Sequence, residues 1–179
     1  MRWTNLLIAP AMLLSGCGGA AQRTPLPTPD MRPVVERWLL RNCVVGEKGI
    51  PEAELKQAGG RAEPWLIEAF HQGPDAEKLR LNREAATQRY ERLQAFLQRD
   101  PDPGLDKDDA VRLQAVTREQ YVRQAEDNFA LAYKAAALTG LGVVGGEAGK
   151  RLLDSVAADP KSPLHATAQI ALARLSGKR

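Results

Sequence analysis

Apolar residues recur at spacings of three and four along most of the chain, separated by glycine and proline. From Pro33 onward Val34, Val35, Trp38 and Leu39 share one stripe, with Pro33 suited to a first helical turn, and predict a helix over about 32–45. Gly46 and Gly49 end it, and Pro51 opens a shorter segment through Ala58. Arg61 to Gln72 carries Ala62, Trp65, Leu66, Ala69 and Phe70 on one stripe and closes at Gly73-Pro74. Glu77 to Gln98 is rich in helix formers, with Leu79, Ala86, Tyr90, Leu93 and Leu97 at helical spacing, and Asp100-Pro101-Asp102-Pro103-Gly104 stops it.

The stretch Asp108 to Val116 has no decisive period. Thr117-Arg118-Glu119-Gln120 then has capping-box spacing, in which hydroxyl and amide side chains serve free backbone donors at a helix start. A long helix over about 118–141 follows, with Tyr121, Val122, Ala125, Phe129, Ala132, Ala136 and Leu138. Glu147 to Ala158 places Ala148, Leu152, Leu153 and Val156 on one face. Ser162-Pro163 reads as N-cap and first turn of a last helix bearing Leu164, Ala168, Ala171, Leu172 and Leu175.

Two segments also repeat. Gly59-Gly60-Arg61-Ala62 through Pro74 aligns without a gap on Gly145-Gly146-Glu147-Ala148 through Pro160, with Leu66 matching Leu152 and Ile67 matching Leu153. A shorter echo sets Ala137-Leu138-Thr139-Gly140-Leu141 against Ala171-Leu172-Ala173-Arg174-Leu175. Ala136 to Gly142, followed by Gly146-Glu147-Ala148 and Leu152-Leu153, resembles the HEAT-like repeats of helical solenoids. The match is best over 130–176 and weaker over 32–74. The expected fold is all-α, either a short HEAT-like helical-hairpin solenoid or an irregular helical bundle.

The first residues follow a different pattern. Arg2 precedes an apolar run from Leu6 to Leu14, too short for the ~20 residues of a membrane-spanning helix. Leu14-Ser15-Gly16-Cys17 resembles the lipobox of bacterial lipoproteins. That resemblance implies cleavage after Gly16, diacylglycerol on the Cys17 thiol and acylation, with palmitate, of the new amino group. Two or three acyl chains suffice for stable anchoring. Gly18, where an Asp would resemble an inner-membrane retention signal, favours the periplasmic face of the outer membrane. The chain thus divides into a signal peptide over 1–16, a lipidated cysteine and Gly/Pro-rich tether over 17–31, and a helical domain over 32–179.

With 44% hydrophobic and 26% charged residues the 179-residue chain is neither globally disordered nor a polytopic membrane protein. Without 1–16 it holds 24 Lys and Arg against 22 Asp and Glu, a balance that argues against a nucleic-acid partner. Cys43 is the only other cysteine, so a lipidated Cys17 leaves no internal disulfide, and the setting of Cys43 suits a small buried hydrophobe.

Catalytic constellations are not apparent. His71 and His165 belong to no metal-ligand pattern and suit surface or helix-end positions. Gly140-Leu141-Gly142-Val143-Val144-Gly145 has the form of a dinucleotide-binding glycine loop but follows no strand, so it reads as a helix-to-helix turn. Asp100, Asp102, Asp106, Asp108 and Asp109 lack the order of a calcium-binding loop and read as a solvated loop with helix-start acids. Glu63, Glu68, Asp75 and Glu91 could work as an acid–base pair only if folding brought two together.

The expectation is therefore a non-enzymatic, cofactor-free lipoprotein that serves as an interaction scaffold for an envelope or periplasmic protein. The alternative is a small envelope enzyme or ligand-binding protein using an interhelical pocket, and a third possibility is a structural part of an envelope complex with a large apolar face. Trp65 and Tyr133 are the candidate partner-binding residues, as large amphipathic aromatics of the kind that anchor interfaces, against the competing reading that each is a core residue.

Overall fold

The structure, a computed structural model, describes residues 30–41, 52–99 and 107–177. The signal segment, Cys17, most of the tether, Cys43, the Gly46 and Gly49 stop, and Asp100, Asp102 and Asp106 lie outside the described residues, as do the side chains of Asp108 and Asp109. Among the described residues the fold is all-α: α1 (Arg32–Leu40), α2 (Glu52–Ala58), α3 (Glu63–Gln72), α4 (Ala76–Arg99), α5 (Lys107–Ala115), α6 (Arg118–Val144), α7 (Glu147–Ala157) and α8 (His165–Leu175). Met31, at the end of the expected tether, is already buried in the core.

Local chemistry explains most helix ends. Pro33 and Pro64 stand in the first turns of α1 and α3, where a missing N–H costs nothing. A 3₁₀ turn over Gly59–Ala62 precedes α3, so the α-helix begins at Glu63 rather than at Arg61; Pro64 has no N–H to return to Gly60. Gly73 and Gly145 both take φ of 73° and donate back to Ala69 and Leu141, ending α3 and α6. At the start of α6 the Gln120 N–H donates to Thr117 Oγ1 at 3.2 Å and the Thr117 N–H to Gln120 Oε1 at 3.0 Å, completing the capping box.

Two expectations are corrected at helix ends. The last helix starts at His165, not next to Ser162. Ser162 instead builds the preceding turn, its Oγ accepting from Leu164 N–H and its carbonyl from His165 N–H. Helix α6 runs on to Val144, so Gly140 and Gly142 lie inside a helix and the turn is confined to Gly145 and Gly146.

Helix α6 organises the molecule. Its second half buries Ala136, Ala137, Leu138, Gly140, Leu141 and Gly142, which together cover about two thirds of the way around the axis, far more than one stripe, so several helices must pack on it. It packs against α1, α2, α3, α7 and α8, and Leu39, Leu55, Leu66 and Leu153 fill the space around it. Consecutive α6, α7 and α8 do pack on one another, but convergence of α1, α2, α3 and α4 on α6 makes the whole an irregular bundle. The glycines permit this. A Cβ on Gly140 would lie 2.7 Å from Trp38 Nε1 and 2.8 Å from Leu66, and one on Gly142 would lie 2.9 Å from the Ala171 backbone.

Along the first half of α6 helix α4 runs antiparallel to it: Arg83 pairs with Glu126 at 2.7 Å, and Tyr90 donates to the Val116 carbonyl at 3.2 Å. Ala86 is the fully buried contact of this arm.

The internal repeat is only partly a structural one. Leu66 and Leu152 align in sequence, yet the fully buried residues are Leu66 in α3 and Leu153 in α7. The two helices therefore present faces one residue, about 100°, apart.

Candidate functional site

Trp65 and Tyr133 lie 68 positions apart in the sequence and line one cleft. Helix α1 supplies Arg32, Val35, Glu36 and Leu39, and α3 supplies Trp65, Glu68, Ala69 and Gln72. Each set has the spacing i, i+3, i+4, i+7, which places four side chains on one helix stripe. The two stripes face each other, Gly73, Asp75 and Lys78 close one side, and Tyr133 of α6 completes the lining. The cleft measures about 180 Å³, below the ~300–1,000 Å³ usual for small-molecule pockets.

Charges in the cleft are arranged around its aromatics. The Arg32 guanidinium stacks over the Trp65 ring at 4.4 Å. The Lys78 ammonium, 17% exposed, bonds Asp75 and also Glu36 at 3.2 Å. Desolvation pulls the Lys78 pKa down, but the bonds and charges of Asp75 and Glu36 outweigh it and leave the ammonium above its ordinary value. The hydrogen bonds that Asp75 accepts from the side chain and backbone N–H of Lys78 hold its carboxyl below the usual range. Burial pushes the Tyr133 phenol up, with Lys78 opposing and the Glu36 and Asp75 charges reinforcing the shift. Tyr133 is only 5% exposed, and its hydroxyl makes no hydrogen bond among the described residues.

The other sequence candidates are dispersed. Glu63 turns away to bind the backbone of α7, Glu68 accepts from Gln72 at 3.0 Å, and Glu91 lies 4.0 Å from Arg118. Glu68 and Asp75 share the cleft, while Glu63 and Glu91 do not line it. His71 is exposed near the end of α3, edge-on to Phe70 at 5.4 Å; His165 begins α8 with its Nδ1 buried and unpaired. No group of His, Cys, Asp and Glu among the described residues is placed to hold a metal ion. No described helix is long and apolar enough to cross a membrane.

A second depression of about 880 Å³ lies between α2, α6 and α8, over Val143, Ile170 and Ala171. Its polar groups are already engaged: Glu52 binds Lys56 at 2.7 Å and Arg174 at 2.6 Å, and the Thr139 hydroxyl donates to the Ala135 carbonyl at 2.7 Å. The first cleft is distinguished by the Tyr133 hydroxyl, which no described residue bonds and which stays open to the cleft.

Sequence reasoning singled out two aromatics that line this cleft and passed over Arg32, Glu36 and Lys78, whose charges read as ordinary solvation. The available signal was the shared stripe spacing of 32, 35, 36, 39 and 65, 68, 69, 72. Set against known protein-family models, curated proteins and solved structures, the chain matches none of them.

Proposed function

We propose that this chain is a bacterial lipoprotein, anchored through lipid on Cys17 to the periplasmic face of the outer membrane, whose helical domain is a non-catalytic scaffold for an envelope or periplasmic protein. The convergence of Trp65 and Tyr133 on one cleft carries this reading. A space of about 180 Å³ accommodates one side chain of a partner more readily than a metabolite. Rigid aromatics at the edge of a small recess are common anchors of protein interfaces. The large exposed hydrophobics Leu81, Phe96, Val111, Leu131 and Ile170 are spread over four helices, which favours a localised docking site over one broad apolar face. The lipobox-like Leu14-Ser15-Gly16-Cys17 supports the anchor, and the HEAT-like spacing of α6 to α8 agrees with a binding role.

The test is crosslinking in intact cells followed by purification of the C-terminally tagged chain, with Cys17→Ala and Trp65→Ala beside the native protein. A stoichiometric envelope protein captured by the native chain and reduced with both variants, the second folded by circular dichroism, supports the scaffold. Recovery of the correctly placed chain alone, despite efficient crosslinking, refutes it.

The alternative, a small envelope enzyme or ligand-binding protein, draws on the depression between α2, α6 and α8, whose volume of about 880 Å³ falls in the small-molecule range. Saturable binding of a small molecule, abolished by Ile170→Asp and untouched by Trp65→Ala, would favour it.

A further inference from the structure

We propose that the occupant of the Trp65–Tyr133 cleft is a basic side chain, lysine or arginine, presented by the partner protein; this rests on the scaffold reading and names the chemistry that the docking site selects. Three independent features of the lining point the same way.

The first is the unpaired hydroxyl. Its oxygen is not sealed from solvent, and no described residue bonds it, so a guest donor would replace water at an acceptor that is still open. Tyr133 is 95% buried, lines the cleft, and makes no hydrogen bond among the described residues. Its oxygen can accept from a guest ammonium or guanidinium.

The second is the balance of charge. Glu36, Glu68 and Asp75 line the cleft against Arg32 and Lys78, leaving one negative charge in excess. Lys78 is committed to Glu36 and Asp75 together, so it neutralises only part of that pair. Both carboxylates have side chains 55% exposed and keep lone pairs open to a guest donor. An acidic guest would meet three carboxylates. A neutral amide would satisfy Tyr133 but leave the excess charge unanswered.

The third is the apolar lining between the charges. Val35, Leu39 and Ala69 offer the surface that the methylene stem of a lysine or arginine covers while its head stays polar. Trp65 already holds the Arg32 guanidinium against its ring, so this wall stabilises a cation within the molecule itself.

The experiment uses the full-length chain in detergent micelles, labelled with 5-fluorotryptophan and read by fluorine NMR, with the Trp65 signal assigned through Trp65→Phe. Four acetylated and amidated peptides, Ala-Ala-X-Ala-Ala with X as Lys, Arg, Gln or Glu, are titrated at low salt. The Trp65 signal is expected to move with the Lys or Arg peptide at no more than about one-fifth of the concentration that the Gln peptide needs, and to stay still with the Glu peptide. Glu68→Gln, a substitution on the solvent side that leaves the core intact, should raise the half-saturation roughly two- to fivefold, the range of one exposed charge pair. Tyr133→Phe should raise it as well.

An equal or stronger response to the Gln or Glu peptide overturns the basic guest and leaves the docking cleft standing. No response to any peptide also overturns it. If in-cell capture of a partner still depends on Trp65 in that case, the scaffold survives the loss of this inference; if capture fails too, both fall.

Discussion

The Glu63 carboxylate at the start of α3 accepts a hydrogen bond of 2.5 Å from the Gly149 backbone N–H, 86 residues away, and so serves as the N-terminal cap of α7. The helix's own cap position is Gly146, which has no side chain to offer, and a Cβ there would sit 2.2 Å from the Glu63 oxygen. The absence of a side chain at one residue makes room for the acceptor from another, and the negative charge also meets the favourable end of the helix dipole. Glu63→Ala should lower stability by about 1 kcal/mol, the usual worth of an N-cap. Glu63→Gln, which keeps an acceptor, should cost less. Urea unfolding followed by circular dichroism reads both, and equal stability of the alanine variant and the native chain would contradict the capping role.

Gly140 is a second position where a missing side chain is structural. Alanine is the better helix former by about 1 kcal/mol, but its Cβ would collide with Trp38 Nε1 and Leu66. The Trp38 indole is also fixed by its 2.8 Å bond to the Ala136 carbonyl, so it has little freedom to retreat. Gly140→Ala should therefore destabilise by about 1–3 kcal/mol, as overpacking does. Gly60→Ala is the control, because a Cβ there meets nothing within 4 Å and the residue's φ is not positive. It should be neutral or slightly stabilising in the same unfolding series.

The start of α6 should be sensitive to its cap. Thr117→Ala removes the acceptor for Gln120 N–H and half of the reciprocal pair. A loss of about 1 kcal/mol is expected. Hydrogen exchange should quicken first at residues 118–121, where the free donors of the helix start lie.

The Asp75–Lys78 ion pair of the cleft sets a pH window. The folded pKa of Asp75 is held down by its bonds from Lys78, so its contribution is present above the unfolded carboxyl value and fades as pH falls through the folded one. Lys78 is shifted up, so its contribution is complete below the unfolded lysine value and fades as pH rises through the folded one. The effect of Asp75 should stay under about 1 kcal/mol, since its side chain is half exposed. Asp75→Asn should thus narrow the stability difference between neutral and acidic solution, measured as the urea midpoint at pH 7 and at pH near 3. An unchanged difference would show that the Asp75–Lys78 pair contributes nothing net.

The helices of this protein were legible in its sequence because their signals are local. The capping box of Thr117 and Gln120, the first-turn proline Pro33 and the terminating Gly73 act within one or two turns, and each behaves as its residue type dictates. The stretch of α5 was ambiguous because its short pattern has no strong stripe, and it is helical without a large buried residue among those described.

Tertiary structure decided what no local rule encodes. Gly140 and Gly142 resemble turn residues, yet they lie inside α6 because Trp38, Leu66 and Ala171 approach too closely for any side chain there. The repeat aligned Leu66 with Leu152, but packing buried Leu153 instead, since the side of α7 that meets α6 and α8 is fixed by those neighbours. The cleft itself needs α1, α3, the start of α4 and α6 at once. Arg32, Glu36 and Lys78 are unremarkable charges in the sequence, and they become a site only when burial of the apolar stripes brings their helices together. Periodicity therefore determined where most of the helices lie, while mutual packing around α6 determined which face each helix buries and which polar residues meet.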